Sequence, residues 1–536
     1  MQLIKNATVE KLRGGYYTPP EIAKFILKWG INGSTDSDLL EPSCGDGVFL
    51  EQLKENKFKF NSITAIELDE EEALKAERIK LTNKTIINTD FHTYCNETFQ
   101  RFDLIVGNPP YIRYQYFNKE QQVEAEKVFK RANLTYSKLT NAWVSFIVGA
   151  SLLLKDNGKI GFVLPAELLQ VSYAKQLREF ISHFYNKINI ISFKTLVFPE
   201  IQQEVVLLLC EKNNSKTHLI EHLELENAEA LSSLDVSKLK SPRKKIDFKS
   251  NKWTFYFLDQ REIDFLENVQ RQWDFPTIGD YADIEIGITT GANDFFTVPF
   301  STVKEYNLQR FARPMVGRSV QVSSLRFTEK DWEQNITNNA KAYFLVFPTL
   351  KELQHHKGAL QYLAAGEEKG INKGYKCGIR DEWHVVPSIW IPDALFIRRN
   401  NLYPKLITNE AKAYTTDTMH RVSLKKGTNL NALCASYHNS LSFAFAEICG
   451  RSYGGGVLEL MPSEVEEILI PYKKEHSGLL ADIDKKMRSG LSIEKILQFT
   501  NEALLIRGYG FSKTDVSLAH TIWQKLSQRR LKRAKS

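Results

Sequence analysis

The pentapeptide Gly107-Asn108-Pro109-Pro110-Tyr111 brings together groups suited to one kind of chemistry. Two successive prolines fix the backbone and remove two N–H donors. What remains is acceptor: the Asn108 side-chain carbonyl and a rigid backbone carbonyl, with the Tyr111 ring as a flat apolar neighbour. Paired acceptors suit an amino group bearing two hydrogens. Holding both hydrogens draws the nitrogen toward tetrahedral geometry and localises a lone pair that conjugation otherwise spreads. Such chemistry requires no serine or cysteine nucleophile, no general-base histidine and no metal. Asn108, Pro109, Pro110 and Tyr111 are therefore the candidate catalytic residues.

Three positions upstream carry a second pattern. In the loop EPSCGDGVFL, 41–50, Gly45 and Gly47 allow a sharp turn and close approach to a ligand. The third glycine of the dinucleotide fingerprint is missing, and no phosphate-gripping lysine follows. Alone, this loop reads as ordinary strand-to-helix geometry. Glu67 lies 22 residues after Gly45, at the end of the next apolar run, where an acid can hold ribose hydroxyls. Asp90 ends the third run beside Phe91, a pair able to accept from a purine amino group and pack on its face. Each acid by itself is an ordinary loop residue; the ordered series is not.

These residues need a scaffold that presents successive strand ends side by side. The runs DLLEP (38–42), SITAIEL (62–68), TIINTD (85–90) and FDLIVGN (102–108) are short, apolar and end in polar residues, as buried parallel strands do. Helical stretches 48–55 and 69–80 separate them. A helix over 18–30 precedes them, with Thr18 as N-cap, Pro19 at the first helical position, Glu21 completing a capping box and Gly30 as the stop. A helix near 140–155 leads to the strand KIGFVLP (159–165). NIISFKTLVF (189–198) and EVVLLLCEK (204–212) read as an antiparallel hairpin at the sheet edge. Strand–helix alternation over about the first 220 residues predicts a doubly wound α/β domain.

Beyond it the rhythm changes. The segment 238–252 holds seven Lys/Arg and one Asp, and 253–470 mixes aromatics, arginine and glycine without a βαβ cadence. The expected organisation is therefore 1–237, a basic linker at 238–252, an α+β domain at 253–470, and a helical segment at 471–536 ending in a basic tail. The whole chain has 536 residues, 43% hydrophobic and 25% charged, which excludes wholesale disorder. Its 71 Lys plus Arg against 64 Asp plus Glu give +7, an excess that permits a polyanion partner without demanding one. WVSFIVGASLLL, 143–154, stops at Lys155, too short for a membrane span, and the first fifteen residues lack the apolar core of a secretory signal. Six scattered cysteines without a C-x-x-C pair predict neither disulfides nor a zinc knuckle and suit a reducing cytosol.

The motif series resembles the S-adenosylmethionine-dependent amino-methyltransferases of DNA, specifically the gamma-class adenine-N6 enzymes with the NPPY motif, of the Eco57I/TaqI-like restriction-modification type. The resemblance implies a Rossmann-like class I methyltransferase domain followed by an α+β DNA-recognition domain and a helical C-terminal segment. It implies S-adenosylmethionine as cofactor, with Thr18, Glu41, Ser43, Cys44, Gly45, Asp46 and Gly47 near the methionine moiety. Glu67 and Leu68 fall at the ribose, Asp90 and Phe91 at the adenine ring, Phe146 near the same ring, and Asn108 between cofactor and target. Phe198, in VFPEIQQEVV, matches the position that stacks on an extruded base opposite Tyr111. Ser43-Cys44 stands where the family commonly has alanine, and Cys44 is expected to be a small packed residue. No cysteine follows a proline, which excludes a C5-cytosine enzyme.

The implied reaction is methyl transfer to the N6 amino group of an adenine flipped from duplex DNA. RNA methylation, protein-glutamine N-methylation and N4-cytosine methylation are the alternatives built on similar acceptors. IGITTGANDFF, 286–296, resembles the start of the family's recognition domains. Arg380, Arg398 and Arg399, interleaved with aromatics, and Lys244 and Lys245 in the linker are the candidate DNA contacts. RSYGGGVLELMPSEV, 451–465, carries three glycines that suit either close approach to DNA or a tight loop. His384 and His420 are isolated and read as core or surface residues rather than metal ligands. No acid–acid–lysine cluster stands out beyond the first domain, so the expected partners are double-stranded DNA and either a separate cognate endonuclease or none, in the cytoplasm with the nucleoid, and no membrane.

Overall fold

The computed structural model describes residues 17–112, 114–137, 140–198, 204–235, 243–246, 252–272, 275–453 and 455–533. The first fifteen residues, Tyr16, most of the basic segment 238–252, residues 199–203 after Phe198, Gly454 and the last three residues of the tail lie outside these. Chain contacts divide the protein into two units, the first running to Ile263 and the second from Asp264.

The first unit is built on a nine-stranded sheet. Its strands are β1 (Asp38–Glu41), β2 (Ser62–Glu67), β3 (Lys84–Asn88), β4 (Phe102–Gly107), β5 (Leu154–Pro165), β6 (Lys187–Phe193), β7 (Val205–Glu211), β8 (Leu219–Leu225) and β9 (Arg243–Lys244), in spatial order β3-β2-β1-β4-β5-β7-β6-β8-β9. β1 to β5 are mutually parallel. The helices joining them are α1 (Pro20–Ile31), ahead of β1, then α2 (Val48–Glu55), α3 (Glu70–Arg78), α4 (Phe91–Glu97), α5 (Lys119–Arg131) and α6 (Ala142–Leu152); α7 (Lys175–Phe184) follows β5. This is the doubly wound α/β architecture expected of a class I methyltransferase. The order reverses between β1 and β4, and the crevice outside their carboxyl ends is where such sheets bind ligands. α6 is buried along nearly its whole length, so it is apolar all round rather than striped.

Three local expectations are corrected. α1 starts at Pro20, and its N-cap is Pro19, with ψ 136° and no side-chain cap. A residue before a proline is pushed out of the helical region, so the second proline moves the start one place on. Gly30 does not stop α1, which runs to Ile31 and ends at left-handed Asn32. A Cβ on Gly30 would lie 2.4 Å from Leu104 of β4, so this glycine lets the helix sit close on the sheet. Finally, β6 and β7 do pair antiparallel, but not at the edge: β7 also pairs antiparallel with β5, and β6 continues the sheet in parallel with β8. The Val205–Cys210 run is buried throughout, as an interior strand requires.

The second unit is α+β. A five-stranded sheet runs in the order Ala282–Ile286, Met419–Leu424, Ala394–Ile397, Leu406–Asn409, Arg326–Phe327, beside smaller sheets of four and three strands. Gly287 passes so close to Thr416 that a Cβ would collide with its carbonyl. The C-terminal helices Leu479–Arg488, Ile493–Thr500 and Lys513–Arg533 join this unit. Arg530, within the sequence's basic tail, is buried and paired with Glu447 at 2.7 Å. Among the described residues no helix is long and apolar enough to cross a membrane.

Candidate active site

The carboxyl ends of β1 to β4 surround one cavity of about 450 Å³. The loop after β1 contributes Glu41, Ser43, Cys44, Gly45 and Asp46; β2 contributes Glu67 and Leu68; β3 leads to Asp90 and Phe91; β4 leads to Asn108 and Pro110. Thr18, released from capping, and Phe146 of α6 also lie on its wall, which leaves Gly47 as the one member of the expected cofactor set away from it. Six carboxyl groups line it, those of Glu41, Asp46, Glu67, Asp69, Glu72 and Asp90, and among the described residues no Lys, Arg or His does. Such a wall attracts a cation and repels a polyphosphate.

The loop geometry follows from its glycines. Gly45 has φ +53° and Gly47 φ +97°, conformations that a side chain rarely adopts. Gly47 does not line the cavity; a Cβ there would lie 2.5 Å from the Ile79 side chain, so its role is the turn into α2. The Gly45 N–H donates to Glu67 Oε2 at 2.8 Å, and the Asp69 N–H to Glu67 Oε1 at 2.9 Å. Ser43 Oγ donates to the Asn108 carbonyl at 3.3 Å, joining the loops after β1 and β4.

Burial dominates the electrostatics here. Glu41 is 1% exposed, and one of its carboxyl oxygens has no hydrogen-bond partner in the protein. Desolvation, with the charges of Glu67 and Asp46 added, holds its pKa well above the usual carboxylate range. Burial also raises Glu67, against the hydrogen bonds from Asp69 and Gly45 that lower it. Cys44 is buried, and desolvation together with Glu41 and Glu67 pushes its thiol far up, so it is no nucleophile.

Asp90 behaves differently. It caps α4, and its Oδ2 accepts from the His92 N–H at 2.8 Å and faces His92 Nδ1 at 3.0 Å. Burial works to raise it, but the hydrogen bonds and charge of His92 outweigh this and bring its pKa below the usual value. Phe91 stacks on Phe146 with ring centroids 4.9 Å apart.

Beyond the motif loop, Tyr111 hydroxyl donates to the Val163 carbonyl of β5 at 3.1 Å. Its ring and that of Phe198 are both part-buried against the same core cluster. Neither they nor buried Pro109 line the cavity. Sequence reasoning missed several wall residues, among them Tyr17, Asp69, Glu72 and the pair Tyr116–Phe117. The aromatic-rich stretch just after the motif was the available signal for that pair, with Tyr116 56% exposed.

The candidate DNA contacts fall into two groups. Arg380 donates to the carbonyls of Thr289, Thr290 and Trp383, Arg398 pairs with Glu459 and donates to the Asp417 carbonyl, and buried Lys244 donates to the Tyr256 carbonyl. These three use their charge inside the fold. The Arg399 side chain, although it reaches Glu459, is 68% exposed, and Lys245 is exposed. His384 and His420 are buried against the Pro348 and Leu460 carbonyls, and burial lowers both pKa values.

Comparison with known proteins locates this architecture. Residues 21–198 match the model of the Eco57I restriction-modification methylase, and residues 250–505 match that of the C-terminal domain of the Type II methyltransferase M.Eco57I. Type II methyltransferase M.AccI of Acinetobacter calcoaceticus is 25% identical over 476 residues, spanning 84% of each chain. Type II methyltransferase M.HincII of Haemophilus influenzae is 25% identical over 229 residues, 42% of each chain. Among solved structures, the DrdV–DNA complex aligns with a TM-score of 0.49 at 12% identity, over 90% of this chain and 58% of that one. Matched in consecutive order over most of its length by the two parts of one methylase type, the chain belongs to the Eco57I-type restriction-modification methylases.

Proposed function

We propose that the protein transfers a methyl group from S-adenosylmethionine to the N6 amino group of an adenine flipped out of duplex DNA, as the modification enzyme of a restriction-modification system. The observation that carries this reading is the convergence of four strand ends, with their acids and the Asn108 loop, on one cavity walled by carboxyl groups. The residues present fit the cofactor. Buried Glu41, with an unpartnered oxygen on the wall, suits a cationic group; Glu67 suits ribose hydroxyls; Asp90 suits an amino group beside the Phe91 and Phe146 rings.

When bound, S-adenosylmethionine supplies an electrophilic methyl group on a sulfonium. The chain's own part is to deliver the nucleophile. The adenine must leave the stack, because its amino group is otherwise paired and inaccessible. Tyr111 and Phe198 hold the flipped base between their rings, and the hydroxyl bond to Val163 fixes the plane of the first. The Asn108 side chain and the Pro109 carbonyl accept from the amino hydrogens and stabilise charge growing on nitrogen. Alignment for in-line attack then supplies much of the rate. The second unit reads the target sequence, and exposed Arg399 and Lys245 meet phosphates. Its expected protein partner is a separate cognate endonuclease or none, and the enzyme works on DNA in the cytoplasm.

The test is to incubate the protein with labelled cofactor and, separately, unmethylated genomic DNA, tRNA and release-factor protein. Label on DNA, recovered as N6-methyladenine, is expected. Label on RNA or protein alone, or on cytosine N4, would overturn the reading.

A further inference from the structure

Behind the cavity wall lies a buried chain of hydrogen bonds that the proposed reaction leaves unused. His92 is 0% exposed and does not line the cavity. Its Nδ1 lies 3.0 Å from Asp90 Oδ2 and 3.2 Å from Oδ1; its Nε2 lies 2.7 Å from Ser145 Oγ. Ser145 Oγ in turn donates to the Ala142 carbonyl of its own helix at 2.8 Å. The Phe146 ring meets the imidazole edge-on at 5.0 Å, and Phe117 packs at 5.8 Å, so the two rings flank the imidazole while its hydrogen bonds set its orientation.

The trio contains the residue types of a hydrolytic triad, but their exposure is inverted. Ser145 is fully buried and absent from the cavity wall, so its hydroxyl attacks nothing. The end that faces the cavity is the carboxylate. An ionised carboxylate only accepts, so Nδ1 carries a hydrogen and donates to Asp90. Oδ2 receives the His92 N–H and the shorter ring contact, Oδ1 lies 3.2 Å from Nδ1, and the carboxylate also accepts from the Thr93 N–H; with about four lone-pair sites it keeps acceptor capacity for a ligand. The relay therefore aims an acceptor rather than activating a nucleophile.

We propose that His92 is a positioning residue: held by Ser145 on one side, it fixes the Asp90 carboxylate so that one oxygen accepts from the exocyclic amino group of the cofactor's adenine ring. The inference rests on the cofactor reading above and adds a device for discriminating that ring. A purine bearing an oxygen at that position turns an acceptor toward the fixed carboxylate and is rejected. A mobile carboxylate would swing aside and discriminate less.

The two amides that can replace the imidazole separate positioning from packing. Asparagine at 92 places its amide nitrogen where Nδ1 was, and glutamine places its own where Nε2 was. Binding of S-adenosylhomocysteine and of S-inosylhomocysteine is measured by calorimetry for the wild type, His92→Asn and His92→Gln. The wild type is expected to prefer the adenosyl ligand by about tenfold or more, the scale of a hydrogen bond to a charged group. His92→Asn keeps most of that preference, whereas His92→Gln loses it to within about threefold. Equal ratios in the two variants, whether kept or lost, would overturn the inference, as would equal binding of both ligands by the wild type. A wild type that binds neither ligand would sink the cofactor reading itself, and the inference with it. Ser145→Ala, measured alongside, keeps the Asp90 contact but frees the ring; an expected partial loss of preference supports the relay, and an unchanged ratio counts against it.

Discussion

The Gly45 N–H and the Glu67 carboxylate meet at 2.8 Å, which makes the turn after β1 and the end of β2 a single hydrogen-bonded unit. Glu67 therefore shapes the loop as well as facing the cavity. Glu67→Ala is expected to weaken S-adenosylhomocysteine binding by about tenfold to a hundredfold, the scale of lost bonds to a charged group. Glu67→Gln, which keeps one acceptor, should lose less. Calorimetry checks both, with circular dichroism to confirm the fold.

Glu41 gives a prediction whose sign depends on pH. Its folded-state pKa lies well above its unfolded value, chiefly through desolvation. Below the unfolded pKa both states hold the proton, so burial costs nothing extra. As pH rises through the ordinary carboxylate range the unfolded chain releases its proton first, and the ligand-free fold loses stability up to the folded pKa. Glu41→Gln should thus leave thermal stability unchanged at low pH and raise it near neutrality, by on the order of 1–2 kcal/mol. The same variant should bind the cationic cofactor more weakly. A gain in stability at pH 4 equal to that at pH 8 would contradict this assignment.

At the motif loop, Asn108→Ala is expected to reduce methyl transfer by at least about a hundredfold. Affinity for S-adenosylhomocysteine should change by less than about tenfold, since Glu41, Glu67 and Asp90 remain. Tyr111→Phe is the gentler probe: it keeps the ring and removes the hydroxyl bond to Val163. It should cost about 1 kcal/mol in a urea titration. Tyr111→Ala should reduce transfer much more than Tyr111→Phe does.

None of the six cysteines forms a disulfide, and all are buried. In the native protein at pH 8 an iodoacetamide probe should modify less than one of them, and Cys44→Ala should retain transfer. Rapid loss of activity on alkylation, protected by cofactor, would contradict the burial of Cys44.

Charge on the surface and charge in the interior should separate in salt titrations. Lys245→Ala and Arg399→Ala are each expected to reduce the salt slope of DNA binding by about one. Arg380→Ala, which strands the Thr289 and Thr290 carbonyls, should instead lower stability by about 1–3 kcal/mol.

What was legible in the sequence follows a physical line. The four strand ends were readable because apolar runs that stop at a polar residue mark buried parallel strands, and the motif series then followed from chain order. The start of α1 was displaced by a single residue because two prolines compete for one position. The place of β7 was hidden because pairing with β5 joins segments about forty residues apart, beyond any hairpin signal. His92 and Ser145 are 53 residues apart and meet only through the packing of α4 on α6. Direction is the other hidden quantity. A count of basic residues cannot show that Lys244 and Arg530 turn inward while Lys245 turns out.

The two-residue strand β9 has a consequence for colloidal behaviour. A large open sheet ordinarily leaves a row of unpaired backbone groups on which another chain can add a strand and begin aggregating. Among the described residues, the sheet beyond β8 closes with only Arg243 and Lys244, and the Arg243 side chain is 74% exposed. A charged side chain projecting from this edge disfavours the approach of a strand from a second copy. The segment that composition marks as a place for DNA thus also guards this edge of the sheet against strand addition.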